Sequence, residues 1–159
     1  MKHLLSTLLI FTLFVSCNSD EQPTVTQPPK VDYTMENDKE IIAYISKNKL
    51  DAERSDSGLY YVINEPGTGA QPTATSNVTV AYKGYYTSGK IVDQSTAAGL
   101  SFDLNKAIKG WTEGIPLFKE GGSGILLVPS HLGYGSFTNN GIPGGSVLVF
   151  DVKLIKVNK

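Results

Sequence analysis

Few residues of this chain have the type and spacing that common catalytic chemistry needs. Histidine occurs only as His3 and His131, and no serine between nucleophile-elbow glycines accompanies His131, so a hydrolytic triad is not supported. No group of His, Cys and carboxylates has metal-ligand spacing. The glycines of Gly121–Gly124 are not followed by the Lys-Ser/Thr pair of a phosphate loop. We therefore expect no hydrolase, no metal site, no nucleotide and no cofactor.

What remains is a set of aromatic and apolar side chains beside turns. Taken singly, these aromatic residues would be core residues, and Asp93 would be a turn or capping carboxylate. Only their combination therefore carries information about function. The segments that hold them are 81–84, 91–95, 108–114, 129–135 and 141–151.

A scaffold of short strands must position these segments. The chain has 16 Gly, and Tyr, Val and Ile recur, which favours a sheet with many turns. One short helix fits at 109–118, and Pro116 keeps it brief. We expect an α+β domain in which an antiparallel sheet, with its strands in meander order, curls over that helix. The predicted strands are 59–63, 78–86, 91–95, 102–104, 123–128 and 147–157.

A separate amphipathic helix is predicted before this domain, at 35–50. Ile41, Ile42 and Ile45 fall near helical spacing, and Thr34 or Asn37 could cap its start. Its apolar stripe should pack on the domain, although pairing with a second copy is an alternative. The chain is thus expected to be a monomer or a helix-mediated dimer. The predicted boundaries are 34–56 for the helical segment and 57–159 for the folded domain.

The N-terminal residues predict export and a lipid anchor. Residues 1–16 combine a weakly basic start with an apolar run too short to span a bilayer, as in a signal peptide. Cys17 is the only cysteine, and Ser16-Cys17 resembles the bacterial lipobox, in which the cysteine is acylated. An ordinary signal peptide with an incidental cysteine is the alternative. Residues 17–33 are polar and proline-rich, which is typical of a disordered tether.

These features imply a location in the cell envelope. We expect the chain to be held on a bacterial membrane by lipid at Cys17, either in the periplasm or exposed at the surface. Its net charge is −1, with both signs mixed along the chain. A nucleic-acid-binding protein would instead cluster Lys and Arg on one face, so we expect no nucleic acid partner.

In combination, the five segments resemble FKBP-type peptidyl-prolyl isomerases in order and spacing, from about Ser57 to Lys159. The family fold is a five- to six-stranded antiparallel half-barrel sheet wrapped on one short helix, which agrees with the strand pattern. The resemblance implies isomerisation of peptide bonds that precede proline, with proline-containing polypeptides as substrates. It also implies binding of macrolide-type inhibitors such as FK506, and no cofactor.

The resemblance assigns most of the pocket residue by residue. Trp111 corresponds to the floor on which the proline ring stacks. Tyr82 and Phe150 correspond to aromatic walls, and Asp93 to the pocket carboxylate. Ile108 corresponds to the residue whose side chain lines the pocket and whose backbone N–H binds a substrate carbonyl.

The remaining assignments concern the pocket rim. Tyr134 corresponds to a tyrosine whose hydroxyl binds a substrate carbonyl, and Ile142 to an apolar residue of an overhanging loop. Val92 and Leu100 stand where phenylalanine is usual in the family, and Ala107 replaces a larger aliphatic residue. Two hypotheses follow. The chain is an isomerase that assists folding of exported proteins, or a prolyl-peptide-binding or chaperone module with little catalysis.

Overall fold

The computed structural model describes residues 29–158. Its helices are α1 (Thr34–Asn48) and α2 (Lys109–Gly114), and a single 3-10 turn, Ile115–Leu117, continues α2. Two more 3-10 turns lie at Leu104–Lys106 and Ser130–Leu132. The strands are β1 (Glu53–Arg54), β2 (Tyr60–Glu65), β3 (Asn77–Tyr86), β4 (Ile91–Gln94), β5 (Leu100–Asp103), β6 (Ser123–Val128) and β7 (Leu148–Asn158).

All seven strands form one antiparallel sheet beside the short helix α2, so the predicted α+β class is confirmed. The sheet has one strand more than predicted, the two-residue β1. The predicted meander order is wrong. The order is β1-β2-β6-β7-β3-β4, and β5 also pairs with β3. Strands β3 and β7 are the two longest, and they pair along their whole length. A local pattern shows which face of a strand is buried, but it does not show which strand lies beside it.

The concave face of the sheet packs on α2. Trp111, Ile115 and Phe118 meet the inward side chains of β3, β6 and β7 in one buried cluster. Gly110 allows this close approach, because a Cβ at that position would lie 2.6 Å from Val128 Cγ1. The helix and its 3-10 turn therefore sit directly under the strands.

The opposite face of the sheet packs on α1. Ile41 is fully buried there, with Tyr60, Leu127 and Val149 around it. The helix ends where Lys49 takes a left-handed conformation, with φ 54°. The sequence anticipated that the helix would pack on its own domain.

Part of the predicted tether lies within the described residues. Tyr33 adjoins Gly145, and Val31 accepts a hydrogen bond from the Ser136 hydroxyl. Met35 and Ile42 on α1 are exposed, so the alternatives of monomer and helix-mediated dimer stay a prediction. The domain boundaries stay a prediction as well. The signal peptide and Cys17 lie outside the described residues.

None of the helices between residues 29 and 158 has the length and apolar character needed to cross a bilayer.

Candidate functional site

A cavity of about 340 Å³ opens between the concave face of the sheet and α2. Nine of the ten pocket residues expected from the sequence line it, and they come from four strands, one helix and two connecting segments. The nine are Tyr82, Val92, Asp93, Leu100, Ala107, Ile108, Trp111, Tyr134 and Phe150. The fold thus gathers side chains that are distant in the chain around one space.

Trp111 forms the floor of this cavity. Its ring is 6% exposed and meets Tyr82 and Phe150 edge-on, with centroid distances of 4.9 and 5.3 Å and interplanar angles of 84° and 85°. Such edge-to-face pairs are the geometry that aromatic quadrupoles prefer. The Trp111 Nε1 is buried and has no hydrogen-bond partner among the described residues. The floor is therefore a fixed apolar plate with a single unused donor.

Phe102 is a pocket residue that the sequence interpretation missed. Its ring lies 5.3 Å from Trp111 at a tilt of 47°, which adds a third ring against the floor. The signal was present in the sequence, because Phe102 follows Leu100 by two residues, and this spacing places both on one face of β5. Leu100 itself is 54% exposed and lies at the rim. The pocket is thus more aromatic than the aliphatic Val92 and Leu100 had suggested.

Tyr82 and Asp93 form the main polar pair of the cavity. The Tyr82 hydroxyl donates to Asp93 Oδ2 at 2.6 Å, and the Gln94 backbone N–H donates to Asp93 Oδ1 at 2.8 Å. Burial, followed by the Asp93 hydrogen bond and charge, raises the pKa of Tyr82 to about 12. Tyr82 therefore keeps its proton at physiological pH, and Asp93 orients that proton.

Two further donors border the cavity. Ile108 immediately precedes α2 in an extended conformation, and its carbonyl accepts from the N–H groups of Trp111 and Thr112 at 2.9 and 3.1 Å. Among residues 29–158, neither the Ile108 N–H nor the Tyr134 hydroxyl has a hydrogen-bond acceptor. Burial, and secondarily the Asp93 charge, raises the pKa of Tyr134. Both donors can therefore bind carbonyl groups of a ligand.

Ile142 does not line the cavity. It is 4% exposed and packs in the concave-face cluster, because its loop turns back on itself through paired hydrogen bonds with Asn139.

The sequence interpretation also missed an ion pair at the rim, in which Lys106 Nζ lies 2.8 Å from Asp103 Oδ2. Leu148 is a further lining residue that it missed.

Two other features bear on the chemistry considered from the sequence. No group of His, Cys, Asp and Glu within residues 29–158 could hold a metal ion. The His131 ring nitrogen Nε2 lies 2.8 Å from the Ser57 carbonyl oxygen, on the surface and away from the cavity.

Comparison with protein families identifies the family of this chain. The family model described as "FKBP-type peptidyl-prolyl cis-trans isomerase" matches residues 69–155. Among curated proteins, the isomerase FkpA of Aeromonas hydrophila is 40% identical over 129 residues, which is 79% of this chain and 48% of that protein. FkpA of Escherichia coli K12 is 45% identical over 105 residues, which is 65% of this chain and 39% of that protein. The chain therefore spans half or less of the length of these relatives.

Solved structures show the same similarity. A peptidyl-prolyl cis-trans isomerase from Pseudomonas syringae pv. tomato superposes with a TM-score of 0.68 and 31% identity, covering 84% of this chain and 99% of that one. FkpA from Escherichia coli superposes with a TM-score of 0.70 and 38% identity, covering 79% of this chain and 61% of that one.

Proposed function

The chain belongs to the family of FKBP-type peptidyl-prolyl cis-trans isomerases, and from this premise we propose that it isomerises X-Pro bonds in exported proteins. The observation that carries the proposal is the Trp111 floor with three rings against it, Tyr82, Phe102 and Phe150. A proline ring is small, compact and apolar, so it can pack against the face of an indole. Ile108 and Tyr134 line the same cavity, and their free donors are proposed to bind the carbonyls on either side of the proline.

X-Pro isomerisation requires neither a general acid nor a general base. Rotation about the X-Pro bond must break amide conjugation, which opposes it with a barrier of roughly 18–20 kcal/mol. No bond to a nucleophile forms and no proton leaves the peptide. A dry aromatic cavity favours the twisted amide, which is less polar than the planar amide. Water exclusion also strengthens the hydrogen bonds from Ile108 and Tyr134. Tyr82, fixed by Asp93, presents its hydroxyl oxygen to the same space.

An X-Pro isomerase would be useful outside the cytoplasm, because exported proteins must refold there. Uncatalysed X-Pro isomerisation takes about 10–100 s, which delays proteins that refold after export.

We propose that lipid at Cys17 holds the enzyme in the cell envelope, on a periplasmic or surface-exposed face. A Cys17→Ala chain should leave the membrane fraction, and its continued presence there would refute the anchor. Macrolides such as FK506 are proposed to occupy the same cavity.

The second candidate is a prolyl-peptide-binding or chaperone module with little catalysis. The observation in its favour is the open mouth of the cavity, where Leu100 is 54% exposed and Val92 carries no ring. Water that enters at this mouth would weaken the hydrogen bonds on which rotation depends.

One experiment separates the two candidates. Exchange between cis and trans forms of short X-Pro peptides is measured by NMR with the purified full-length chain, for several residues before proline. Binding is followed in parallel by the fluorescence of Trp111, the only tryptophan in the chain. The enzyme proposal expects exchange to rise in proportion to protein concentration. Binding without any increase in exchange would support the second candidate instead.

A further inference from the structure

Asn37 is a buried polar residue on α1 that the pocket description does not use. It is 1% exposed, although it lies in the first turns of a helix on the protein surface. Its side chain does not cap the helix. Instead Oδ1 accepts the Ser130 backbone N–H at 2.8 Å, and Nδ2 donates to the Gly145 carbonyl at 2.7 Å. Both polar atoms of the amide are therefore bound to the backbone of another part of the chain.

The two backbone groups that Asn37 binds are the two ends of one loop. We define the Tyr134 loop as residues 130–145, which join β6 to β7. The Gly135 N–H donates to the Ser130 carbonyl at 2.7 Å, and the Gly145 N–H donates to the Gly135 carbonyl at 2.9 Å. Asn37 thus binds Ser130 and Gly145, the same two residues that form hydrogen bonds with Gly135, and Gly135 is next to Tyr134.

Residues just before α1 contact the same loop. The Ser136 hydroxyl donates to the Val31 carbonyl at 2.6 Å. The Tyr33 ring lies so close to Gly145 that a Cβ there would be 2.6 Å from it, and Gly145 has φ 80°. Apart from a single bridge between Asn139 and Ile142, the described part of this loop has no strand pairing. Its position therefore depends on these polar anchors together with the buried side chains of Leu132 and Ile142.

We propose that Asn37 is a positioning residue for the pocket: it fixes both ends of the Tyr134 loop and so holds the Tyr134 hydroxyl where it can bind a substrate carbonyl. The proposal rests on the proposed prolyl site, because Tyr134 matters only if it contacts the substrate. It does not require that Asn37 touch the substrate. Loss of the amide leaves two backbone groups without their partners and frees the loop to shift, and shifts of about 1 Å reduce catalysis strongly.

The test is a double-mutant cycle between Asn37→Ala and Tyr134→Phe in the full-length chain. Exchange of an X-Pro peptide gives kcat/KM, and Trp111 fluorescence gives the peptide Kd. Asn37→Ala alone is expected to lower kcat/KM by about fivefold, the size of one net hydrogen bond. In the Tyr134→Phe background the same change should lower kcat/KM by less than about twofold, because the hydroxyl that Asn37 positions is already gone.

Equal losses in the two backgrounds would overturn the proposal, since they would show that Asn37 acts only on stability or on other pocket residues. Asn48→Ala is the matched control. It removes an amide from the same helix that donates to the Tyr44 carbonyl, far from the loop, and should leave kcat/KM unchanged. If Asn37→Ala does not fold, Tyr33→Ala replaces it in the cycle, because Tyr33 is only partly buried and contacts the loop at Gly145.

The affinity measurement keeps this proposal distinct from the proposed function. If the unmutated chain binds peptide but does not increase exchange, the isomerase proposal fails, and the cycle is run on Kd instead. Asn37→Ala should then weaken peptide binding only where the Tyr134 hydroxyl is present. A loss of affinity that is independent of Tyr134 would overturn the positioning role.

Discussion

Strand β3 carries two tyrosine–aspartate pairs, on opposite faces of the sheet. The Tyr82 hydroxyl donates to Asp93 at 2.6 Å on the concave face, and the Tyr85 hydroxyl donates to Asp151 at 3.0 Å on the other face. Burial is the main cause of a raised pKa in both tyrosines. Their surroundings differ, because Tyr82 borders the cavity, whereas the Tyr85 hydroxyl lies 3.5 Å from that of Tyr44 on α1.

Comparing the two pairs shows that a raised tyrosine pKa does not by itself mark a functional site. A half-buried tyrosine with a carboxylate partner is present on both faces, so neither that pair nor its raised pKa distinguishes a site. The difference lies in what faces each pair. Tyr82 meets the Trp111 ring and open space, while Tyr85 packs in the cluster under α1. Space for a ligand beside an aromatic floor is what the concave face adds.

Replacing the floor should have the largest effect. Trp111→Ala removes the ring on which we propose that the proline stacks, and we expect kcat/KM to fall by about 100-fold. The free energy of unfolding should also fall, by about 3–5 kcal/mol, because the ring fills the concave-face core. NMR exchange and denaturant unfolding measure the two losses. A folded Trp111→Ala chain with nearly full activity would contradict the location of the site.

The matching change on the other face should affect stability alone. Ile41→Ala leaves a cavity between α1 and the sheet, and should lower the free energy of unfolding by about 2–4 kcal/mol. We expect kcat/KM to stay unchanged well below the unfolding midpoint, since Ile41 belongs to the cluster under α1. A fall in kcat/KM while the chain remains folded would show that this face contributes to the pocket.

Removing a single hydroxyl group from each face should have a smaller effect and allows the two faces to be compared directly. Tyr82→Phe and Tyr85→Phe make the same chemical change on one strand. Tyr82→Phe should lower kcat/KM by about three- to tenfold, because Tyr82 lines the cavity proposed to bind substrate, and Tyr85→Phe by less than about twofold. Equal effects on peptide exchange would remove the distinction between the two pairs.

Alkaline pH should affect both pairs alike, and this is the smallest effect. In the unfolded chain tyrosine loses its proton near pH 10, while folded Tyr82 keeps it to about 12. Above pH 10 the unfolded state therefore binds fewer protons, and the free energy of unfolding falls as pH rises towards 12. Tyr82→Phe and Tyr85→Phe should each reduce this fall, as measured by denaturant unfolding at pH 9 to 11. A decline that neither substitution changes would show that these hydroxyls do not carry it.

Much of the pocket could be predicted because its residues lie in short segments with recognisable order and spacing. Trp111 at the start of a short helix and Asp93 after a hairpin turn are examples, and both line the cavity. Phe102 was not predicted as a lining residue, although it shares one face of β5 with Leu100. The turn that Ile142 makes with Asn139 is not visible in the local pattern, and in the structure Ile142 lies in the core cluster rather than in the cavity lining.

The class of the fold, the main strands and most of the rings around Trp111 could be predicted from the amino-acid sequence, because alternation, turn residues and motif spacing are local properties. Three features became visible only in the folded chain: β3 pairs with β7, Tyr82 faces a cavity while Tyr85 faces a helix, and Asn37 joins α1 to both ends of the Tyr134 loop. These facts depend on contacts between residues up to 108 positions apart. Such contacts are selected by which surfaces bury one another, and no local pattern encodes that choice.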